Sequence, residues 1–250
     1  MDEISEILAL VETRVGLNFE GTRLTTARST VLEHAIDYAS LAEFRAALLR
    51  TPLCWQTLID RLVVNETFFF RHPEQLAIAA DAVGERAQRG EDTRIASIGC
   101  SSGEEPYSLA ILLKERELLD GATLTGFDVS ATMLRRAAEG RYSPWALRTT
   151  SVSRRASYFS EHSDRSFELD PSIREQVRFR HLNLLEPTDT EPFDILLCCN
   201  ILYYFRDSAL TKAVEALKQL TRPSGLLIVG PSEPVLTKLS GFEIDSNEGP

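Results

Sequence analysis

The sequence lacks the features that would place the chain in a membrane or outside the cell. No apolar run approaches the ~20 residues that a membrane span needs. The start, Met1-Asp2-Glu3, lacks the basic and apolar segments of a signal peptide. We therefore expect a cytoplasmic protein without membrane insertion. Its 250 residues, 43% of them hydrophobic, suffice to bury a full core.

Positive charge and metal-ligand patterns are also missing. A net charge of −10 argues against a nucleic-acid partner, because binding phosphates requires a basic surface. The four cysteines do not have the paired spacing of metal ligands, so we expect buried thiols and no metal site. Neither a Ser-His-Asp set nor a Cys-His set is apparent. These absences argue against nucleic-acid binding, metal binding and catalysis by a Ser-His-Asp or Cys-His set.

The pattern of apolar residues divides the chain into three parts. Residues 1–63 show helical spacing only and predict a small all-helical domain, with helices over Ile4–Val15, Leu24–Tyr38, Leu41–Leu49 and from Pro52 to Leu62. Residues 64–92 form a linker and a connecting helix. From Thr93 short apolar strands alternate with helices, which predicts a parallel sheet covered on both faces, a Rossmann-like α/β fold.

The last part, 93–250, carries one interruption. Between 142 and 180 the alternation lapses, and we predict a short helix followed by a small antiparallel insertion. At the other end, Phe242-Glu243-Ile244 looks like the start of a strand that has no partner to pair with. This indicates a piece of a longer protein and leaves room for a further domain after residue 250.

A glycine turn between a strand and a helix is the most informative motif. Gly99 and Gly103 stand four residues apart, and the third glycine of the dinucleotide fingerprint is missing. Glu104 and Glu105 follow at the helix N-terminus, where they would repel a pyrophosphate. A cationic, phosphate-free nucleoside such as S-adenosylmethionine fits better than NAD, FAD or ATP. The alternative is an ordinary tight connection in which Ser102 and Glu105 form a capping box.

Polar residues follow three of the predicted strands. Asp128 ends the second strand, at the position where a carboxylate accepts hydrogen bonds from ribose hydroxyls. Its alternative role is to cap the helix that follows Ser130. Asn183 and Asn200 follow the next two strands, where amides can bind the adenine edge or the amino-acid end of a cofactor. Each of them, taken singly, is more often a turn residue.

The segment Asn65-Glu66-Thr67-Phe68-Phe69-Phe70-Arg71 joins the two predicted domains. By default its aromatic residues pack the domains together and Arg71 is a surface cation. The functional interpretation is that the aromatic residues hold the linker over a cofactor, while Asn65, Thr67 and Arg71 extend into the cleft.

Together these motifs resemble the CheR-type chemotaxis receptor methyltransferases, which transfer a methyl group from S-adenosylmethionine to receptor glutamates. The resemblance extends from about Leu17 to Pro234. The motifs that carry it are Asn65-Glu-Thr-Phe-Phe-Phe-Arg71, Gly99-Cys-Ser-Ser-Gly-Glu-Glu-Pro-Tyr-Ser108, Phe127-Asp128, Asn183-Leu184-Leu185, Asn200-Ile-Leu-Tyr-Tyr-Phe205 and Gly230-Pro-Ser-Glu233.

The resemblance implies a set of site residues and a partner. Arg71 and Tyr204 would flank the reacting centre. The cofactor site would contain Asn65, Thr67, Arg71, Gly99, Glu105, Asp128, Asn183, Leu184, Asn200 and Ile201. The partner would be the helical cytoplasmic domain of a chemoreceptor, methylated by a monomeric enzyme. Two rival functions stay open: a small-molecule methyltransferase, and a cofactor-binding interaction module without turnover.

Two features depart from the family pattern. Residues 1–63 contain six Arg, no Lys and nine acidic residues, a net charge of −3, although family members often present a basic helical face. Arg14, Arg23, Arg28, Arg45 and Arg50 are the candidates for a local basic stripe. In addition, no glycine lies between Gly140 and Gly225, where members that bind a receptor's C-terminal peptide have a glycine-bearing loop. We therefore do not expect peptide tethering.

Overall fold

The structure, a computed structural model, describes residues 2–231, 233 and 242. Its N-terminal part is helical, with α1 (Glu3–Val15), α2 (Gly21–Ala35), α3 (Leu41–Arg50) and α4 (Pro52–Leu62). Asp2 caps α1 and Ser40 caps α3, each by accepting a backbone N–H of the first turn. These helices enclose an apolar core of their own, which includes Ile7, Val11, Val31, Phe44 and Leu58.

The remaining elements form two sheets and their helices. The strands are β1 (Thr93–Ile98), β2 (Ala122–Asp128), β3 (Arg141–Tyr142), β4 (Phe159–Glu161), β5 (Phe167–Leu169), β6 (Val177–His181), β7 (Phe193–Cys198) and β8 (Thr221–Val229). The helices are α5 (Pro73–Gln88), α6 (Glu104–Glu115), α7 (Ala131–Glu139), α8 (Val152–Tyr158), α9 (Pro171–Arg174) and α10 (Asp207–Leu220), with a 3-10 turn over Leu202–Tyr204.

Five strands form a parallel sheet in the order β6-β2-β1-β7-β8. Alternate residues of its central strands pack on opposite faces. Ile95 and Ile195 join the core that contains α5 and α6, whereas Ala96 and Leu196 join the core that contains α10. Burial on both faces explains why the strands are continuous apolar runs. The predicted Rossmann-like α/β class is confirmed.

The three remaining strands form a small antiparallel sheet in the order β3-β5-β4. The short helix and antiparallel strands predicted for this region correspond to α8, β4 and β5. Sequence periodicity missed β3, since two residues carry no period. The expected boundaries 142–180 need correction because β6 pairs with β2 in the main sheet, so the insertion ends before Val177.

No helix in the described part of the chain is long and apolar enough to cross a bilayer. All four cysteines are free thiols. Within residues 2–231, 233 and 242 there is no cluster of three or more side chains suited to holding a metal ion. The strand expected from Phe242 to Ile244 lies outside the described residues, apart from Phe242 itself.

Candidate active site

A cleft opens at the carboxyl edge of the parallel sheet, where β1 and β7 are neighbours and the strand order reverses. Ligands of doubly wound sheets bind at this position. The turn after β1, the loop after β7 and the linker between α4 and α5 form its walls. The residues predicted from the sequence for the site all line this cleft: Asn65, Thr67, Arg71, Gly99, Glu105, Asp128, Asn183, Leu184, Asn200, Ile201 and Tyr204.

The glycine turn after β1 uses its backbone N–H groups inside the fold. Those of Gly99 and Cys100 donate to the carbonyl of Phe127 at 2.8 and 2.9 Å. That of Ser101 donates to the carboxylate of Asp128 at 2.8 Å. Turns of this kind bind phosphates through free N–H groups. Since these three are already engaged, they have no hydrogen bond to offer a pyrophosphate.

The capping box proposed as the alternative does not form. Gly103, with φ at 90°, is the N-cap residue of α6 and supplies no side-chain hydrogen bond to the helix. The hydroxyl of Ser102 donates instead to the carboxylate of Glu104 at 2.8 Å. The start of α6 therefore depends on the left-handed conformation of a glycine, which a side chain would disfavour.

The two acidic residues at the start of α6 face different surroundings, which corrects the expectation that both occupy the ligand end of the helix. Only Glu105 lines the cleft, where it accepts a hydrogen bond from the Ser97 hydroxyl at 2.8 Å. Burial raises the pKa of Glu105, and hydrogen bonds from Ser97 and Cys199 and the charge of Arg71 oppose that rise. Glu104 is buried away from the cleft, and burial raises its pKa to about 7.

Asp128 connects the turn after β1 to the loop after β2. Its carboxylate accepts the N–H of Ser101 in one loop and the N–H of Ser130 in the other, both at 2.8 Å. Ser130 itself caps α7 by accepting the N–H of Met133, so Asp128 is not the helix cap. Burial raises the pKa of Asp128, while these two hydrogen bonds lower it. Asp128 thus has a structural role in addition to its place in the cleft.

The side chain of Asn183 is engaged within the protein. Its amide donates to the carbonyl of Arg14 at 2.8 Å and to the carboxylate of Glu186 at 3.1 Å. Its oxygen accepts the N–H of Leu185 at 3.1 Å. Both amide hydrogens of Asn183 are used within the protein, so the side chain has none left to donate to adenine. Asn183 therefore acts as a turn residue.

Asn200 adopts a left-handed conformation, with φ at 63°, at the end of β7. Its side-chain oxygen is hydrogen-bonded to Nε2 of His72, the residue after Arg71. This contact joins the loop after β7 to the end of the linker. His72 lines the cleft as well, although no sequence pattern distinguishes it from a structural histidine.

The linker presents three polar side chains to the cleft. Within the described residues, Asn65 and Thr67 make no side-chain hydrogen bond to the protein. Arg71 donates to the carbonyl of Glu66, and its guanidinium lies 5.6 Å from the ring centre of Phe68. The described part of the chain pairs no carboxylate with Arg71, so its charge is free to act in the cleft.

Tyr204 lies on the 3-10 turn beyond β7. Its hydroxyl accepts a hydrogen bond from the Tyr203 hydroxyl at 2.7 Å, and the guanidinium of Arg23 lies 4.5 Å from its ring centre. Burial raises the pKa of Tyr204, so the phenol stays protonated at neutral pH. The Glu233 carboxylate fixes this loop by accepting the N–H groups of Ile201 and Tyr203 at 2.9 and 3.1 Å.

Sequence reasoning missed several cleft residues, among them Ser101, Cys199, Tyr203 and His72. Ser101 carries the clearest signal, since its hydroxyl is buried at the cleft and no described residue is its hydrogen-bond partner. Its place inside the glycine turn was the only hint in the sequence. An unpartnered buried hydroxyl is costly and is typical of a ligand contact.

The reversed strand order and the carboxylate-lined cleft define a doubly wound α/β domain with an open cleft at the carboxyl edge of its sheet. Residues 65–247 match the family described as CheR methyltransferase, SAM binding domain. The chain belongs to this family, which confirms the resemblance seen in the sequence. The cofactor is S-adenosylmethionine, as expected.

Several curated proteins are similar over most of this chain. It is 34% identical over 248 residues to the "Probable biofilm formation methyltransferase WspC" of Pseudomonas aeruginosa, covering 94% of this chain and 57% of the relative. It is 35% identical over 199 residues to "Chemotaxis protein methyltransferase 2" of Vibrio cholerae, covering 76% of this chain and 69% of the relative. The chain thus spans little more than half the length of the WspC protein.

Among solved structures, the chain is similar to a SAM-dependent methyltransferase from Geobacter sulfurreducens in complex with S-adenosyl-L-homocysteine. That match has 17% identity and a TM-score of 0.37, and it covers 70% of this chain and 54% of the other. The methyltransferase domain of bacterial CtHen1 gives 17% identity and a TM-score of 0.38, covering 62% and 63% of the two chains.

The residues of the cleft fit S-adenosylmethionine. Glu105 and Asp128 are carboxylates at the cleft for which no described cation lies within ion-pair distance, and they suit a ligand with positive charge. The unpartnered hydroxyl of Ser101 and the free side chains of Asn65 and Thr67 can hydrogen-bond its polar groups. The engaged N–H groups of the turn disfavour a phosphate-bearing competitor.

Proposed function

We propose that this chain is a cytoplasmic protein-glutamate O-methyltransferase that forms methyl esters on the helical cytoplasmic domain of a chemoreceptor. The observation that carries the proposal is the environment of Tyr204, where the charges of Arg23 and Arg71 act and neither arginine forms an ion pair with a described carboxylate. The names of the relatives, which are chemotaxis and biofilm-formation methyltransferases, support the same substrate class.

Two positive charges act on Tyr204. The guanidinium of Arg23 lies over its ring at 4.5 Å, and one terminal nitrogen of that group is buried with no partner among the described residues. The charge of Arg71 also lowers the pKa of Tyr204, against the larger effect of burial. An unpaired guanidinium beside an aromatic ring is a favourable place for a substrate carboxylate. This charge distribution favours an acidic side chain over a neutral or cationic one.

The other members of the suggested arginine stripe are engaged elsewhere. Arg28 pairs with Asp2 at 2.8 Å, Arg45 pairs with Glu6, and Arg14 lies 5.0 Å from the ring centre of Trp55. Arg50 donates to a carbonyl of its own helix. Only Arg23 of the five lies beside the site, so electrostatic guidance of the substrate depends on Arg23 and Arg71.

The chain's residues need only bind and orient the reactants. When bound, S-adenosylmethionine supplies a methyl group on a positively charged sulfur, which a carboxylate can accept without a general base because glutamate is ionised at neutral pH. In our proposal, Glu105, Asp128, Asn65 and Thr67 hold the cofactor. Arg71 and Arg23 orient the substrate carboxylate, and Tyr204 shapes the site as a neutral phenol.

The decisive experiment measures methyl incorporation from labelled S-adenosylmethionine into cytoplasmic receptor fragments, followed by mild alkali. Esters hydrolyse under these conditions, whereas N- and C-methyl products survive. We expect alkali-labile label on glutamate. Label in a small molecule alone would favour the small-molecule rival, and binding of S-adenosylhomocysteine without any transfer would favour the interaction module.

A matched pair of variants tests the carboxylate site. Arg23→Glu and Arg28→Glu change charge equally on the same helix, but only Arg23 lies beside Tyr204. We expect Arg23→Glu to raise the KM for the receptor fragment at least about tenfold and Arg28→Glu to have a smaller effect. Equal effects would place the receptor contact along α2 in general and contradict the proposed site.

A further inference from the structure

Residues 64–68, which carry Asn65 and Thr67 into the cleft, belong to no helix or strand. Because regular hydrogen bonding does not order this part of the linker, other contacts must fix it. Most of these come from one segment of the insertion, residues 145–149. We call these residues the insertion loop.

The insertion loop holds the linker backbone at Phe69. The N–H of Phe69 donates to the carbonyl of Ala146 at 2.9 Å, and the hydroxyl of Thr149 donates to the carbonyl of Phe69 at 2.6 Å. Both backbone groups of one linker residue are thus used by the same loop. The next N–H, that of Phe70, donates to the Ser108 hydroxyl on α6 at 2.9 Å.

Arg148 extends this contact toward the cleft. Its guanidinium lies over two rings, 3.5 Å from the ring centre of Phe68 and 4.2 Å from that of Trp145. One terminal nitrogen donates to the Glu66 carboxylate at 3.0 Å, and the other donates to the Trp145 carbonyl at 2.8 Å. A planar guanidinium can stack and bond in this way, whereas an ammonium cannot.

These contacts involve the linker residues on either side of Thr67. Phe68 also lines the cleft, and Glu66 accepts a hydrogen bond from Arg71 through its carbonyl. The side chain of Arg148 is 22% exposed and that of Glu66 is 56% exposed, so water weakens their ion pair. Arg148 therefore contacts the two linker residues that flank Thr67 without lining the cleft itself.

We propose that Arg148 is a positioning residue for the cofactor site, acting through Phe68 and Glu66 on Asn65, Thr67 and Arg71. This inference rests on the proposed role of the linker in holding S-adenosylmethionine. It gives the small antiparallel insertion a function other than binding a receptor peptide: the insertion preorganises the cofactor cleft.

The test compares Arg148→Ala with Arg141→Ala, which removes an insertion arginine that pairs with Asp164 and Ser166 away from the linker. Calorimetry with S-adenosylhomocysteine needs no protein substrate, so its result does not depend on the proposed glutamate chemistry. We expect Arg148→Ala to weaken the binding of S-adenosylhomocysteine about tenfold. Arg148→Lys should recover little of the lost affinity, because an ammonium cannot replace the guanidinium over the Phe68 ring. Arg141→Ala should bind as the unchanged protein does.

Two further measurements separate positioning from general stability. With S-adenosylmethionine as the varied substrate, Arg148→Ala should raise KM more than it lowers kcat. The effects of Arg148→Ala and Phe68→Leu on affinity for S-adenosylhomocysteine should also be clearly non-additive, because the two substitutions remove the same contact, that between Arg148 and Phe68. If Arg148→Ala fails to fold, Glu66→Gln and Phe68→Leu test the same contacts from the linker side. The proposal would be overturned if Arg148→Ala bound S-adenosylhomocysteine within twofold of Arg141→Ala, or if the effects of Arg148→Ala and Phe68→Leu were additive.

Discussion

A Cβ atom added at Gly99 would lie 2.4 Å from Cγ2 of Ile201. The turn after β1 and the loop after β7 therefore meet at a point where no side chain fits. Gly99 also has a φ of +71°, a conformation that L-residues rarely adopt. The distance between the turn and the loop at this point depends on the absence of a side chain at Gly99 and on its positive φ.

Gly90 allows these two features to be separated. Its φ of +72° is nearly identical to that of Gly99, but no atom lies within 4 Å of an added Cβ. We expect Gly99→Ala to reduce the free energy of unfolding by roughly 1–3 kcal/mol more than Gly90→Ala, because only Gly99→Ala overpacks. Urea unfolding measures both, and Ile201→Ala should recover part of the loss. Equal losses in the two variants would mean that the backbone conformation alone requires glycine at position 99.

Asp128→Ala should destabilise the protein even without a ligand. The substitution leaves two backbone N–H groups, those of Ser101 and Ser130, without their acceptor, at a cost of roughly 1–3 kcal/mol each when buried. Thermal unfolding of the ligand-free protein measures the loss, with Asp120→Ala, an exposed aspartate, as the control. A variant of normal stability that binds S-adenosylhomocysteine poorly would show that Asp128 serves the ligand alone.

Glu104 makes stability depend on pH. Burial raises its pKa to about 7, above the ordinary 4.5, so the folded state holds a proton that the unfolded state releases. Stability from this group is therefore fully present below pH 4.5 and is lost as the pH rises to 7, by roughly 3 kcal/mol at most.

Glu104→Gln removes this titration and keeps an acceptor for the Ser102 hydroxyl. The variant should gain free energy of unfolding over the unchanged protein at pH 8 and much less at pH 5. Glu85→Gln, an exposed change on α5, is the control and should show no such difference. Chemical denaturation at the two pH values gives the comparison, and a constant offset would mean that Glu104 is ionised throughout this range.

Arg71→Lys keeps a positive charge but loses the guanidinium that lies 5.6 Å from the Phe68 ring centre and donates to the Glu66 carbonyl. We expect turnover to fall at least about tenfold while thermal stability changes little. The control is Arg94→Lys, because Arg94 lies 5.3 Å from the Phe193 ring at the amino end of β1, away from the cleft. Normal turnover by Arg71→Lys would show that charge alone suffices at this position.

The sequence predicted the sheet, the turn and the residues around the cleft because these depend on local patterns. The continuous apolar runs of β1 and β7 indicate strands buried on both faces, and a polar residue at a strand's carboxyl end must lie at the ligand edge. For the same reason, the sequence predicts that Asp128 and Asn200 lie at this edge, and both line the cleft.

The sequence could not predict which partner each polar side chain selects. Glu104 and Glu105 are adjacent, yet the helix turns one carboxylate into the core and the other into the cleft. Asn183 uses its amide on Arg14, which lies 169 residues earlier in the chain. Such contacts depend on how α1 packs against the sheet domain, and no local pattern encodes that.

The same long-range packing limits which parts of this protein can be exchanged. Leu17 forms a β-bridge with Phe205, Asn18 donates its N–H to the Tyr204 carbonyl at 2.8 Å, and a Cβ atom at Gly16 would lie 2.3 Å from Phe205. A chimera that carries the helical region of another family member must therefore bring along a matching loop after β7. We expect a graft of the helices alone to misplace Tyr204, because its carbonyl loses the hydrogen bond from Asn18.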